Sequence, residues 1–335
     1  MRRLGKLWKG IAAGAAAAVL LGGCGRPADD SQEKDKNLIV VGFSEVGAES
    51  DWRVANTESM RNTFVEENGY ELMFNDAKQK QESQILAIRN YILQKVNYIV
   101  LAPVIEEGWE EVLQEAKDAE IPVIVVDRRV KVEDDSLYTA WVGSDFRKEG
   151  DMAVEWLEEE LEKQGREDEE INILHVQGTA GASAQLGRTE GLEAGLKKHK
   201  NWNRVATLQG EFTQAKTYEV VLDFLESGKA ADVIYCENDN SAFGAIQALE
   251  EAGVSYGTDG DVMVISFDAT RAGLQDCLEG KINVDVECNP LHGPRVESII
   301  QKLEAGETPE KEWYVEETYF TADNLSEEFI EAREY

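Results

Sequence analysis

The sequence is short of the residues from which many catalytic and metal sites are built. It holds four cysteines and three histidines in 335 residues. Leaving Cys24 aside, Cys236, Cys277 and Cys288 are odd in number, and none is spaced Cys-x-x-Cys. That argues against a disulfide framework and against a zinc site. Cys236 and Cys288 sit in strand-like runs, where core packing is the expected role. His175, His199 and His292 have no evident partner in the sequence. No Gly-x-Ser-x-Gly, His-Glu-x-x-His or Gly-Lys-Ser/Thr element occurs, and "GTAGAS" (178–183) lacks the spacing of a dinucleotide loop. Basic residues are scarce as well: 34 Lys and Arg face 66 Asp and Glu, a formal charge of −32. That balance argues against nucleic acid and reads as a solvated, soluble surface. Prolines number only six, and with 42% hydrophobic residues and seven Trp the chain can bury a real core.

The apolar run "IAAGAAAAVLL" (11–21) is too short to span a bilayer comfortably. It follows a basic start, Arg2, Arg3, Lys6 and Lys9, and leads into "LGGC", with Leu21 three residues before Cys24. This arrangement resembles the lipobox of a bacterial lipoprotein. The resemblance implies a signal peptide over 1–23, cleavage before Cys24 and lipidation of its thiol. An ordinary secretory peptide or a short anchor is the competing reading. "RPADDSQEKDKN" (26–37) is polar and aperiodic, so 24–37 is expected to be a flexible tether.

From Leu38 short apolar runs alternate with longer amphipathic ones. Strands are expected at 38–43, 71–74, 98–103, 122–126 and 138–143, then at 171–176, 205–210, 232–236, 262–267 and 282–287. Helices are expected between them, among them 53–68, 81–94 and 241–253, the last ending on Gly253. Continuous apolar strands linked by helices mean parallel sheets covered on both faces. An α/β chain of two doubly wound lobes suits this count better than one long sheet. An eight-stranded barrel is the rival it leaves open.

Ligands of open parallel sheets lie beyond the carboxyl ends of the strands. Here those ends carry "SEVGAESDWR", Asp127-Arg128, "QGTAGASAQLGR", "EFTQAK", "ENDN", Asp268 and, after Glu287, "CNP". Seven polar or aromatic strand ends in order suggest one cleft lining. Carboxylates and amides accept hydrogen bonds, and arginine donates in a planar fork. Vicinal hydroxyls of a sugar match both, and its C–H faces suit Trp52 and Phe212. Blander roles compete: Trp52 as a staple beneath its helix, Asn238, Asp239 and Asp268 as helix caps, and Arg188 paired on the surface with Glu190 or Glu193. Arg129 is expected to be solvated.

The same strand ends resemble the periplasmic sugar-binding proteins of the ribose/galactose type, the capture component of ABC importers. The closest branch is the galactofuranose binders. The resemblance rests on 41–53, 102–128, 177–188, 238–253 and "ISFDA" (265–269), although that branch more often has Asp-Gly there. It implies the type I periplasmic binding protein fold, with lobes 38–144 plus 288–317 and 145–287 plus 318–335. A three-strand hinge would fall near 143–145, 287–290 and 316–320. It also implies sugar contacts from Asp127, Arg128, Arg188, Phe212, Asn238 and Asp268. Glu287 stands where ribose binders commonly carry Gln, and Trp52 and Arg53, with Glu45 and Glu49 nearby, replace a pair of Phe. The expected partners are a monosaccharide, an ABC permease and the membrane through the lipid alone. A monomer is expected, with no cofactor, no metal and no catalytic residue. Two other readings stay open: a receptor feeding a sensory partner, and a sugar-active enzyme built on two carboxylates.

Overall fold

The computed structural model describes residues 38–335. The expected signal peptide, Cys24 and the tether lie outside the described residues. Twelve strands form two sheets of six. The first contains β1 (Ile39–Glu45), β2 (Tyr70–Asp76), β3 (Tyr98–Leu101), β4 (Val123–Val126) and β5 (Ala140–Gly143). The second contains β6 (Ile171–Gln177), β7 (Trp202–Gln209), β8 (Val233–Cys236), β9 (Met263–Asp268) and β10 (Val284–Glu287). Two short late strands, β11 (Glu312–Tyr314) and β12 (Tyr319–Phe320), extend the first and second sheet respectively. The orders are β11-β5-β4-β3-β1-β2 and β12-β10-β9-β8-β6-β7. Every pairing is parallel except β10 with β12. Two open sheets replace the rival closed barrel.

The central strands are buried on both faces. β3 reads YIVL and β4 VIVV with no exposed position. Helices cover each side, and separate apolar clusters fill the two faces of each sheet. This is why the strands carry continuous rather than alternating apolar residues.

Some boundaries differ from expectation. The helix expected over 53–68 spans Asp51–Thr63, started by Ser50, whose hydroxyl accepts from the Arg53 amide. It stops because Phe64 turns inward onto Tyr70, their rings 5.0 Å apart and perpendicular. A single 3-10 turn, Glu66–Asn68, follows, closed by Gly69 at φ +89°. The helix over 81–94 and the Gly253 terminator of Asp239–Ala252 are as read from the sequence.

The chain passes between the sheets three times, after β5, after β10 and between β11 and β12. At the first passage Gly143 is obligatory by space: a Cβ there would lie 2.7 Å from both the Asp127 carbonyl and the Trp141 ring. The lobes are closed on each other. Across the cleft the Asp51 amide donates to Asn240 Oδ1 at 2.9 Å and the Arg129 amide donates to Ser183 Oγ at 2.8 Å.

Candidate functional site

The carboxyl ends of strands from both sheets meet around a small buried cavity between the lobes. The structure brings Glu49, Trp52, Arg53, Asp127, Arg128, Arg188, Phe212, Asn238 and Asp268 into its lining. Ser50, Phe146, Ala184 and Cys288 join them.

On the first lobe, the opening turn of Asp51–Thr63 aims Trp52 and Arg53 inward. The Arg53 guanidinium is shared by three carboxylates: Asp127 at 2.7 Å, Glu49 at 3.2 Å and Glu45 at 3.3 Å. Asp127 reaches it from a left-handed backbone position, φ +59°, just past β4. Arg128 donates to the Val104 carbonyl at 2.9 Å and to Glu49 at 3.4 Å. Its guanidinium carbon lies 5.2 Å from the centre of the Phe212 ring on the opposite lobe. The Trp52 indole donates to the Cys288 carbonyl at 2.6 Å.

On the second lobe, Arg188 extends from the helix Ser183–Lys198 to Glu149 at 2.7 Å and Asp268 at 3.5 Å, and donates to the Glu237 carbonyl. It is buried, so the surface pairing with Glu190 or Glu193 does not occur. Asn238 does two things at once. Its Oδ1 caps the helix at Ser241 while its Nδ2 donates to the Phe212 carbonyl at 3.2 Å. Asp268 is no cap, since Thr270 caps the helix that follows. Phe212, at φ +61°, lays its ring over Gly178, where a Cβ would fall 1.9 Å from it.

Three arginines in the lining face Glu49, Asp127 and Asp268, with Glu45 and Glu149 directly behind. Burial alone would raise Asp127, but the Arg53 and Arg128 guanidiniums outweigh it and hold the carboxyl below its ordinary value. Burial prevails at Asp268, pushing it well above the carboxylate range despite Arg188. Burial likewise raises Glu45 to about 7 against the pull of Arg53. Glu49 Oε2 and Arg53 Nη1 are buried without a hydrogen-bond partner in the protein.

Two expected positions lie outside the lining. Glu45 sits behind Arg53, one oxygen held by the Val46 amide at 2.7 Å. Glu287 is taken by the C-terminus, with Arg333 and the Tyr335 hydroxyl each at 2.9 Å. A strand end fixes a residue's height in the sheet, but the side chain's direction depends on what packs around it. Arg129 is partly solvated and lies outside the cavity, packed 3.6 Å from the centre of the Trp141 ring and paired with Glu312 at 2.8 Å. Cys288 is buried, as expected of a core thiol, yet it also faces the cavity. The "CNP" following a strand was its one visible signal. Phe146 had none, because it stands on a passage between sheets.

Among the described residues, Glu149, Cys288 and Glu317 bring one potential metal donor each within 4.8 Å of one another. The Arg188 charge on Glu149 opposes a cation there.

Residues 41–290 match the periplasmic binding protein domain model. The chain is 37% identical over 294 residues to the galactofuranose-binding protein YtfQ of Escherichia coli, covering 87% of this chain and 90% of that one. Among solved structures it superposes with TM-score 0.80 and 38% identity on the periplasmic component of the arabinose ABC transporter of Shewanella sp. ANA-3, bound to α- and β-L-arabinofuranose. That match covers 88% of this chain and 95% of the other. A Mycobacterium smegmatis protein in complex with β-D-fucofuranose gives 0.80 and 39%, over 85% and 92% of the two chains. With two open parallel sheets, three passages between them and a cavity at their facing carboxyl ends, the chain belongs to the periplasmic binding protein family and has its type I fold.

Proposed function

We propose that the protein captures one monosaccharide, in furanose form, between its lobes and delivers it to the permease of an ABC importer. The observation that carries this reading is the lining itself. Arginine–carboxylate pairs from both lobes face Trp52 and Phe212 around one cavity between the lobes. Glu49 Oε2, without a hydrogen-bond partner within the protein, suits a hydroxyl that donates to it, and Arg53 Nη1, which makes only an ion-pair contact with Glu45 at 3.3 Å, suits the same hydroxyl as an acceptor. Furanose is supported by the ligands of the arabinofuranose- and fucofuranose-bound relatives and by the name of the Escherichia coli one.

In this reading the lobes are 38–144 plus 288–317 and 145–287 plus 318–335. They open about the three passages, and sugar favours the closed form because it contacts both lobes only there. Residues 1–23 direct export, and the lipid on Cys24 holds the protein at the outer face of the cell membrane. No helix among the described residues is long and apolar enough to cross a membrane.

A thermal-shift panel of D-galactose, L-arabinose, D-fucose, D-ribose and D-fructose tests the proposal. A saturating ligand at ~100 times its Kd stabilises the native state by about 2.7 kcal/mol. The first three sugars are expected to raise Tm and to be recovered unchanged. Turnover of any of them, or no shift from all five, overturns it.

A further inference from the structure

One buried side chain ties the three passages together. Glu317 stands on the third, between β11 and β12. Its Oε1 accepts from Ser144 Oγ on the first passage at 2.6 Å and from the Asn289 amide on the second at 2.8 Å. Cys288 completes the group. Its Sγ lies 3.4 Å from Ser144 Oγ, and its carbonyl holds the Trp52 indole in the cavity wall. Behind it Glu149 gives one oxygen to Arg188 and keeps the other, Oε1, buried and unpartnered.

The charged and titratable groups facing Glu317 come from four directions. Glu149, with Arg188, faces it from the helices Phe146–Gln164 and Ser183–Lys198. Glu287, with Arg333 and Tyr335, faces it from β10 and the C-terminus. Arg295 faces it from the helix Gly293–Glu304, and Cys288 from the second passage. Each arginine but Arg295 is committed to another carboxylate, and none forms an ion pair with Glu317. Two carboxyls and a thiol this close and out of water do not all ionise. A cation is a poorer means of joining them than a proton, because Arg188 already occupies Glu149 Oε2 and two donors occupy Glu317 Oε1.

We infer that Glu317 is a proton-dependent hinge latch: the closed form holds it neutral and out of water at the junction of the three passages, and its ionisation favours the open form, so that capture of ligand takes up a proton. The inference rests on the capture function proposed above. Burial, with the nearby Glu149 charge second, raises Glu317 to about 9 in the closed form. In an open form that admits water the carboxyl would return toward its ordinary value of 4.5. Between those values the closed form holds a proton that the open form has lost. Raising pH therefore favours opening and weakens capture.

The test uses wild type, Glu317→Gln and Glu317→Ala. Glutamine keeps the Oε1 acceptor and mimics the neutral acid, whereas alanine removes the latch. D-galactose and L-arabinose, each at equilibrium with its furanose forms, are titrated calorimetrically from pH 6 to 9 in buffers of different ionisation enthalpy. Wild-type affinity is expected to fall by up to about tenfold per pH unit between pH 6 and 8, with proton uptake near one there and about one half at pH 9. Glu317→Gln should bind with that slope and that uptake removed, and Glu317→Ala should bind weakly at every pH. An unchanged slope and proton count in Glu317→Gln overturns the latch. If neither sugar binds wild type, the capture proposal fails for those sugars and ligand-free small-angle scattering decides the latch. A radius of gyration that grows with pH in wild type but not in Glu317→Gln supports it, and coincident curves overturn it.

Discussion

The two halves of the cavity are built on different principles. The first lobe packs two arginines and three carboxylates into one cage, with Arg53 shared by Glu45, Glu49 and Asp127. The second lobe sets one arginine, Arg188, between Glu149 at 2.7 Å and a more distant Asp268, and surrounds it with the rings of Phe146 and Phe267. In the first half Arg53 and Arg128 outweigh burial and hold Asp127 below its ordinary value, while burial raises Glu45 only to about 7. In the second half burial raises both carboxyls, so removing the arginine leaves acids able to take up a proton. The first half is thus the brittle one and the second the forgiving one.

Arg53→Ala should break that comparison most severely. It strips the counter-charge from three buried carboxylates, and removing one partner of a buried pair typically destabilises by about 3–5 kcal/mol. Urea denaturation is expected to show a loss of that size together with abolished sugar binding. Arg188→Ala should abolish binding with a smaller loss of stability, because Glu149 and Asp268 can be neutralised by protons. Equal losses in the two variants would erase the distinction between the halves.

Gly178→Ala probes the second half without touching charge. The added methyl has no room beneath Phe212, so the ring must shift. Weaker sugar affinity measured by calorimetry, with Arg128 and Asp127 untouched, is the expected result. A further contrast comes from pH. Glu45 is raised to about 7 in the folded protein, from 4.5 when unfolded. The folded state therefore binds the extra proton between those values, and its contribution to stability is full below pH 4.5 and is lost as pH rises through 7. The stability of Glu45→Gln should decline less than that of wild type between pH 5 and 8, by up to about 1.4 kcal/mol per pH unit. The smallest effect is expected for Arg129→Ala. Its partly exposed pair with Glu312 lies outside the cavity, so affinity should hold and stability fall by about 1 kcal/mol or less.

The parallel sheets were legible because a strand buried on both faces has to be apolar throughout, as in "VIVV" and "YIVL". The lining was legible where a polar group directly follows such a strand, as Asp127 and Asp268 do. Glu287 and Glu45 obey the same rule but face Arg333 and the Val46 amide, partners 46 residues away and next door respectively. Strand position alone does not carry that information. The short β11 and β12 lay hidden because "EWY" and "YF" have no apolar run; they form by pairing with β5 and β10. Phe146 escaped notice for a related reason: it stands just past the first passage between lobes and follows no strand directly.

Asp127, Phe212 and Asp268 all present their side chains to the cavity from left-handed backbone, at φ +59°, +61° and +111°. Such conformations disfavour any residue with a Cβ by roughly 1–2 kcal/mol each. A laboratory lineage selected only for heat resistance would therefore drift toward glycine at these three places. Each step would relax the chain and remove a group aimed at the ligand. Selection for tolerance of heat and selection for retention of cargo would pull these codons in opposite directions.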